Sequence, residues 1–449
     1  MTILLPRLFN VRREELPSVL LAVLFFFCVL TALMVLRPAR EALGLRGGID
    51  AVRWLFMGTA LVTLMINPLF GLLVSRLPRM RFITATYAFF SFTLLAFYLT
   101  MTLTPEVIGI TTGQLFYVWF SVFNLFVTMV FWALMADRFS LEQGKRFFGL
   151  IAVGGTCGAI FGPWLASRLA TPLGTPALLL ISIGFLLLAL GAAWGIARLQ
   201  PLHPRQGTGT HATSIVDERE LIGGSAWEGL RAVFRSRYLL GIAAYVVILA
   251  IMATFLYFTR LQMVAALGED LDLRTTMFAR IDLITQVATL VMQALVAGHV
   301  MKRAGVSVTL ALLPLTAALG FIGLAIVGSL AALIVFEAAF RAVQRALMRP
   351  ARETLYTVTS REDKYKSKAF IDTFIYRGGD VVGAQLEGML GRLGMGLAAV
   401  ASVAVPLALA WAALALWLGR TQQRIALAPP ESAEIGTDAI NPSRQRSAP

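Results

Sequence analysis

Of 449 residues, 58% are apolar and the mean hydropathy is +0.76, which is more apolar surface than a soluble core of this size can hide. The formal charge is +14, yet the 39 basic residues recur between apolar runs and form no single patch, which argues against a nucleic-acid binder and fits the loops of a polytopic membrane protein. Cys28 and Cys157 both lie inside apolar runs and there are three histidines, so neither a disulfide framework nor a metal site is expected.

In chain order, Arg12 and Arg13 precede a run that is uncharged over 18–36. That run is long enough to span, and no small-x-small cleavage site follows in a polar context, so a retained first helix is expected. Twelve spans follow from hydropathy: 18–42, 51–75, 81–103, 110–135, 147–170, 176–199, 238–264, 274–300, 306–327, 329–357, 368–391 and 395–419. The expected fold is all-α and integral to the membrane. Its organisation is a six-helix half over 1–199, a cytoplasmic linker over 200–237, a second half over 238–420 and a disordered cytoplasmic tail over 421–449. Within the linker, Trp227, Leu230 and Phe234 share a helical face beside Arg231 and Arg235, which suits a helix lying on the membrane; a plain linker is the alternative.

Loop charge sets the orientation. One set of loops carries Arg76, Arg79 and Arg81; Arg138, Lys145 and Arg146; Lys302 and Arg303; and Lys364 to Lys368. The other set, "TLTPEVIG", "ATPLGTP" and "LGEDLDL", is short and poor in basic residues. Positive-inside loops put both termini in the cytoplasm. Only Lys145, Lys302, Lys364, Lys366 and Lys368 are lysines, an arginine bias that suits a GC-rich bacterium, hence a bacterial inner membrane.

The halves echo each other. "GLLVSRLPRMR" (71–81) matches "GHVMKRAGVSV" (298–308), pairing Gly71 with Gly298, Arg76 with Arg303 and Pro78 with Gly305. "GKRFFGLIAVGGTCGA" (144–159) matches "SKAFIDTFIYRGGDVVGA" (367–384). Two six-helix repeats suggest a transporter that rocks about a midplane site.

The spans hold unusual charges. Glu337, Arg341, Arg345 and Arg352 recur at helical spacing on span 10, a stripe about 22 Å long at 1.5 Å per residue. Arg349 and Glu353 form an i,i+4 pair at its end. Span 1 adds Arg37, Arg40 and Glu41; span 7, Arg260; span 8, Arg280, Asp282, Gln286 and Gln293; span 11, Asp372, Arg377, Asp380 and Glu387. Such charges persist in a membrane only where they face water, a ligand or one another. Two readings stay open. The arginines line a cationic cavity whose guanidinium forks grip phosphate or carboxylate, or arginines and acids pair internally as gates. No Walker loop, dinucleotide fingerprint or partnered nucleophile is present, so no enzyme activity and no cofactor is expected.

Gly71, Leu73, Arg76, Arg79 and Arg81 are spaced as in the loop motif between helices 2 and 3 of the major facilitator superfamily, which this sequence resembles; Ser75 replaces the usual aspartate and Pro78 a glycine. The resemblance implies a salt bridge between helix ends that holds one alternating-access state. Gly149, Gly158, Gly162 and Pro163 on span 5 resemble the antiporter motif of that superfamily, which implies exchange; close helix packing is the plainer reading of the same glycines. A narrower resemblance is to the ATP/ADP translocase (nucleotide transporter) family. It rests on Arg37, Arg40 and Glu41 at the end of span 1, on "FWALMADRFSLEQGKRFFGLIAVGG", on Pro350, Arg352, Glu353 and Tyr356, and on Lys368-Ala369 with Ile371-Asp372. Span 7 has Arg260 where that family has an acid.

The resemblances imply a major-facilitator bundle of twelve transmembrane helices, in two pseudo-symmetric six-helix halves, that exchanges an anionic metabolite, with nucleotide the favoured class. The alternatives are a proton-coupled carrier of an organic anion or other metabolite, using an acid such as Asp282 or Asp380, and a non-transporting membrane sensor or assembly partner. The expected substrate contacts are Arg37, Arg40, Arg260, Arg280, Arg341, Arg345 and Arg352. Coupling or gating falls to Glu41, Asp282, Glu337, Glu353, Asp372, Arg377 and Asp380. Gly71, Arg76, Arg79, Lys145, Gly158, Gly162, Pro163 and Lys368 would serve the conformational change. The expected partners are a small anion such as ATP, ADP or another phosphorylated metabolite, and the bilayer around a monomer.

Overall fold

The computed structural model describes residues 12, 14–76, 78–104, 106–199, 226–392 and 397–427. The first half is α1 (Leu16–Leu45), α2 (Ile49–Arg76), α3 (Arg79–Leu103), α4 (Glu106–Arg138), α5 (Leu141–Leu173) and α6 (Ala177–Arg198). A short α7 (Ala226–Arg235) leads into the second half. That half comprises α8 (Arg237–Ala265), α9 (Leu271–Val291), α10 (Ala297–Val327), α11 (Leu330–Val343), α12 (Arg349–Leu355), α13 (Arg361–Phe370), α14 (Tyr376–Arg392) and α15 (Leu397–Leu427).

Three π-turns join helices end to end: Met292–Val296 between α9 and α10, Gln344–Met348 between α11 and α12, and Ile371–Ile375 between α13 and α14. Gly305, at φ 70° and ψ 176°, breaks α10 and sends the chain back across the bundle. Only glycine adopts that conformation without a Cβ penalty. The described segments thus make twelve crossings. Among the described residues, eight helices are long and apolar enough to span on length and composition alone, including the Leu271–Val327 run that Gly305 divides. α11–α12 and α13–α14 are the charged ones.

Side-chain caps fix several starts. Ser140 accepts from the Gln143 N–H and completes a capping box, and Ser236, Asp270, Ser329 and Ser360 cap α8, α9, α11 and α13. These caps lie in the polar breaks between apolar runs.

Each half has its own core. Phe25, Tyr87, Phe123 and Phe131 are buried in the first, and Tyr245, Phe340, Tyr356 and Trp411 in the second. A third apolar cluster takes residues from both: Ala42, Leu45, Val52 and Tyr117 meet Phe258, Leu261, Phe278 and Ala384. It lies at one end of the bundle, here called the closed end. The other, the basic end, carries the arginine- and lysine-rich loops.

The internal repeat has a packing meaning. A Cβ on Gly154 would lie 2.5 Å from the Val23 carbonyl oxygen of α1, and one on Gly158 2.4 Å from that of Phe27. In the second half, a Cβ on Gly379 would lie 2.7 Å from Ala250 Cβ and one on Gly383 3.0 Å from Ile251 Cα, both on α8. α5 on α1 and α14 on α8 are the same close helix contact, made twice. The turn at Pro78 before α3 and the break at Gly305 likewise correspond.

α7 forms within the predicted linker helix. Its Val233 is buried in the second-half core and it packs on α13, while Phe234 is exposed. The Trp227 side chain, residues 200–225 of the linker and 428–449 of the tail lie outside the described residues. The last helix runs to Leu427, beyond the predicted limit of 419, and Gln422 Nε2 there donates to the Thr354 carbonyl at 3.5 Å.

Candidate functional site

Several charges on the spans meet near mid-bundle. Arg260 of α8 is buried, and its Nη1 donates to Asp282 Oδ1 on α9 at 3.0 Å and to Glu337 Oε1 on α11 at 3.1 Å. Arg37 of α1 reaches the other oxygen of Asp282 at 3.6 Å. Arg341 lies 3.8 Å from Glu337 and donates to Gln344 Oε1 at 3.3 Å. Arg345 has no carboxylate partner among the described residues; its Nη1 donates to Gln286 Oε1 at 2.6 Å.

A second group borders the first. Arg40 donates through Nη1 to Glu41 at 2.8 Å and through Nε to the Tyr117 carbonyl at 3.1 Å, with its guanidinium 3.6 Å from the centre of the Tyr117 ring. Glu41 accepts from the Tyr257 hydroxyl at 2.5 Å, and the hydroxyls of Tyr117 and Tyr257 lie 2.7 Å apart. Arg377 lies 3.5 Å from Asp380, which also accepts from Thr254 at 3.4 Å.

These groups surround a cavity of about 380 Å³, at the small end of the range for ligand pockets. Arg37, Arg40 and Met34 of α1, Phe56, Thr59 and Thr63 of α2, Phe120, Ser121, Asn124 and Leu125 of α4, and Arg377 of α14 line it. Three guanidinium groups are on the wall, and among the described residues its lining includes no carboxylate. The compensating acids stand behind: Arg37, Arg40, Arg260, Arg341, Arg345 and Arg377 face Glu41, Asp282, Glu337 and Asp380, six positive charges against four negative.

The predicted contacts therefore separate. Arg37 and Arg40 line the cavity, and so does Arg377, expected as a gate. Arg341 and Arg345 stand beside it in the first group. Arg260 is walled in by two acids and serves as a counter-ion. Arg280 departs from the expected placement: two residues from Asp282, it is turned by about 200° on α9 and is exposed with Ile284 and Val287. Arg352 is at the basic end, 3.1 Å from Asp372 and 3.8 Å from Glu353, and Lys368 also pairs with Glu353 at 2.5 Å. Gly158 and Gly162 pack on α1, beside the buried Pro163. Arg79 pairs with Asp137 at 2.7 Å, joining α3 to α4 within the first half, and Lys145 is exposed. Gly71 and Arg76 lie on the last turns of α2; the Arg76 side chain is outside what is described.

Several participants were not expected from the sequence, among them Arg53 and Gln262, the partners of the span 11 acid Glu387. Arg53 of α2 donates through Nε and Nη2 to Glu387 Oε2 on α14, at 3.1 and 2.8 Å, and also pairs with Asp50; Gln262 donates to the other Glu387 oxygen. Tyr117 and Tyr257 carry no charge to attract notice. Asn124, a lone amide in "FSVFNLFV", was the legible signal for the α4 wall.

Two halves of six crossings around a central polar cavity define the architecture of a secondary transporter. The chain belongs to the major facilitator superfamily, whose family model matches residues 19–348. Among curated proteins none matches. Similar solved structures include a POT family transporter in complex with a thioalcohol-conjugated peptide, at 11% identity and TM-score 0.59, covering 90% of this chain and 96% of that one. The nucleoside transporter NupG has 13% identity and TM-score 0.57, covering 93% of this chain and all of that one. An auto-inhibited POT family peptide transporter has 13% identity and TM-score 0.58, with 91% and 96% covered. At these identities the likeness shows the fold.

Proposed function

We propose that this protein carries a small anionic metabolite across a bacterial inner membrane by alternating access, with a phosphorylated compound such as a nucleotide as the favoured class. The observation that carries this reading is the cavity wall: Arg37, Arg40 and Arg377, with no lining carboxylate among the described residues. Guanidinium forks match phosphate and carboxylate geometry. Phe56 and Phe120 offer flat apolar contact for the body of a ligand, and Asn124, Ser121 and the two threonines offer hydrogen bonds. The resemblance of the span 1, 4–5 and 10–11 blocks to nucleotide translocases favours the nucleotide class and exchange.

With the basic loops in the cytoplasm, the closed end faces outward, and the halves are in a state shut on the outer side. A second reading, proton-coupled transport of an organic anion, is favoured by Asp380. It is buried one helical turn from the cavity-lining Arg377 and is poised to exchange a proton when that arginine turns to substrate.

The test is reconstitution into liposomes with a thermal-shift screen. Nucleoside di- and triphosphates are expected to raise the melting temperature, because a ligand that binds only the folded state stabilises it by mass action; the bare nucleoside should do less. Vesicles preloaded with the stabilising ligand should take up label faster than empty ones. A shift with a non-phosphorylated organic anion alone, with uptake driven by a proton gradient into empty vesicles, selects the second reading.

A further inference from the structure

At the lipid-facing seam between the halves, α5 and α9 pack side by side and run antiparallel. Thr171 and Thr276 bring their hydroxyls within 3.0 Å, Thr175 donates to Thr275 at 2.8 Å, and the Thr175 N–H donates to Asp272 at 2.6 Å. These contacts fix the register. Three residues back from Thr171 on α5 is Arg168, and four residues on from Thr276 on α9 is Arg280, so the two arginines sit at nearly one depth. Helical rotation turns Arg168 about 60° from Thr171 and Arg280 about 40° from Thr276. Because the helices run in opposite senses, both turns go to the same side of the seam.

That side is away from Asp282 and the cavity. Arg168 and Arg280 are both exposed, with Trp164 and Ile284 exposed on the same faces. Neither guanidinium has a hydrogen-bond or ion-pair partner among the described residues. The nearest seam acid, Asp272, is turned to the Thr175 N–H. The depth is informative too. α5 has 33 residues, about 50 Å at 1.5 Å per residue, against a hydrocarbon core of about 30 Å. Arg168 lies five residues, about 8 Å, from the closed-end terminus of α5, which is the level where the core meets the headgroups. A charge on the lipid face persists where it reaches the interface or a counter-ion.

We infer that Arg168 and Arg280 together bind the phosphate of an anionic phospholipid, of the phosphatidylglycerol kind, in the leaflet at the closed end, and that this lipid favours the state in which that end is shut. Two guanidinium groups without a facing acid suit a net negative headgroup; a zwitterionic one brings a cation that they repel. One arginine belongs to each half, so a bridging phosphate must let go of one when the halves part. A ligand with that preference shifts the population toward the closed end shut.

The test compares the full-length protein in nanodiscs of phosphatidylcholine alone and with phosphatidylglycerol admixed, read as melting temperature. Phosphatidylglycerol should raise the melting temperature of the native protein. The rise should be largely lost in Arg168→Gln and equally in Arg280→Gln, with little further loss in the double variant, as expected of one bridged phosphate. An undiminished rise in the double variant overturns the proposal. Inorganic phosphate added to phosphatidylcholine nanodiscs should leave the melting temperature unchanged; a rise equal to that with the lipid would mean a free-anion site and overturn it. Should a glutamine variant not fold, Arg168→Lys with Arg280→Lys keeps both charges but loses both forks. A smaller rise there supports the site, and a full one refutes it.

Discussion

The two ends of this bundle are held by different partnerships. At the closed end the halves are joined to each other: Arg53 to Glu387, Tyr257 to Glu41 and Tyr117, Thr175 to Asp272 and Thr275, over an apolar cluster drawn from both. At the basic end four ion pairs among the described residues each stay within one half. Arg79 meets Asp137, Arg146 meets Glu15 at 3.0 Å, Arg352 meets Asp372 and Lys368 meets Glu353. Contacts within a half survive a rocking motion, whereas contacts between halves must break in it. The charge pairs of the closed end are thus latches, and those of the basic end are braces. Between them, the Arg260 cluster ties α8, α9 and α11 together and reaches the first half through Arg37, with Gln286 of α9 also donating to Met34 Sδ of α1 at 3.8 Å.

The largest expected effect lies in that cluster. Arg260→Ala leaves Asp282 and Glu337 buried without their shared cation. Breaking a buried pair on one side costs about 3–5 kcal/mol. The expected outcome is a large fall in melting temperature, or loss of folded protein after detergent extraction. A melting temperature equal to that of the native protein would show that Arg37 and Arg341 compensate both acids, and would dissolve the distinction between Arg260 as counter-ion and Arg37 as cavity wall.

The latch comes next. Glu387→Ala removes the acceptor of both Arg53 bonds and of Gln262. Truncating one side of a buried hydrogen-bonded charge pair across an interface costs about 2 kcal/mol or more. Two kcal/mol changes the ratio of shut to open closed end roughly 30-fold, at 1.4 kcal/mol per tenfold. Spin labels at Leu103 and Leu267, exposed in different halves near the closed end, should report a new long-distance population. An unchanged distance distribution would mean that the apolar cluster alone holds this end.

How much of this was legible depends on what each feature rests on. The twelve crossings were, because apolar runs and their polar breaks are local. The repeat was also legible, and its meaning is the twice-made glycine contact. The face of Arg280 could have been read from its spacing to Asp282. The pairing of charges could not. Arg53 and Glu387 are 334 positions apart, and nothing local in either segment names the other; which helices become neighbours is decided by packing of whole faces. The π-turns that offset Gln344–Met348 and Ile371–Ile375 from regular spacing also shift the stripe that α11 and α12 would have presented as one straight helix.

Packing within a half gives a smaller, separable effect. Gly158→Ala puts a methyl against the Phe27 carbonyl oxygen, and Gly379→Ala puts one against Ala250. Overpacking of this kind costs about 1–3 kcal/mol. Both variants should melt at lower temperature while the labels at the closed end keep the native distance distribution. A changed distribution at native melting temperature would instead assign the span 5 glycines to the conformational change and restore their antiporter-like reading.

The smallest effect is expected at Arg79 and Asp137, and it bears most directly on the comparison. The loop resemblance implies that a salt bridge of this motif, to which Arg79 belongs, holds one alternating-access state. In the structure the pair of Arg79 and Asp137 joins α3 to α4, both in the first half, with side chains that are 35% and 47% exposed. A pair so exposed contributes about 0–1 kcal/mol, screened further by salt. A brace inside one half does not change length when the halves rock, so its loss costs the inward-facing and outward-facing states alike. Asp137→Asn is therefore expected to lower the melting temperature slightly, by less in high salt than in low, and to leave the closed-end distances as they are. If the distances shift as they do in Glu387→Ala, Arg79 must exchange Asp137 for a partner in the other half as the protein moves, and the brace would be a latch of the state not seen here. Arg79→Lys separates the two outcomes further. It keeps the charge and the weak exposed pair but loses the bidentate fork, so a brace should tolerate it and a latch built on that fork should not.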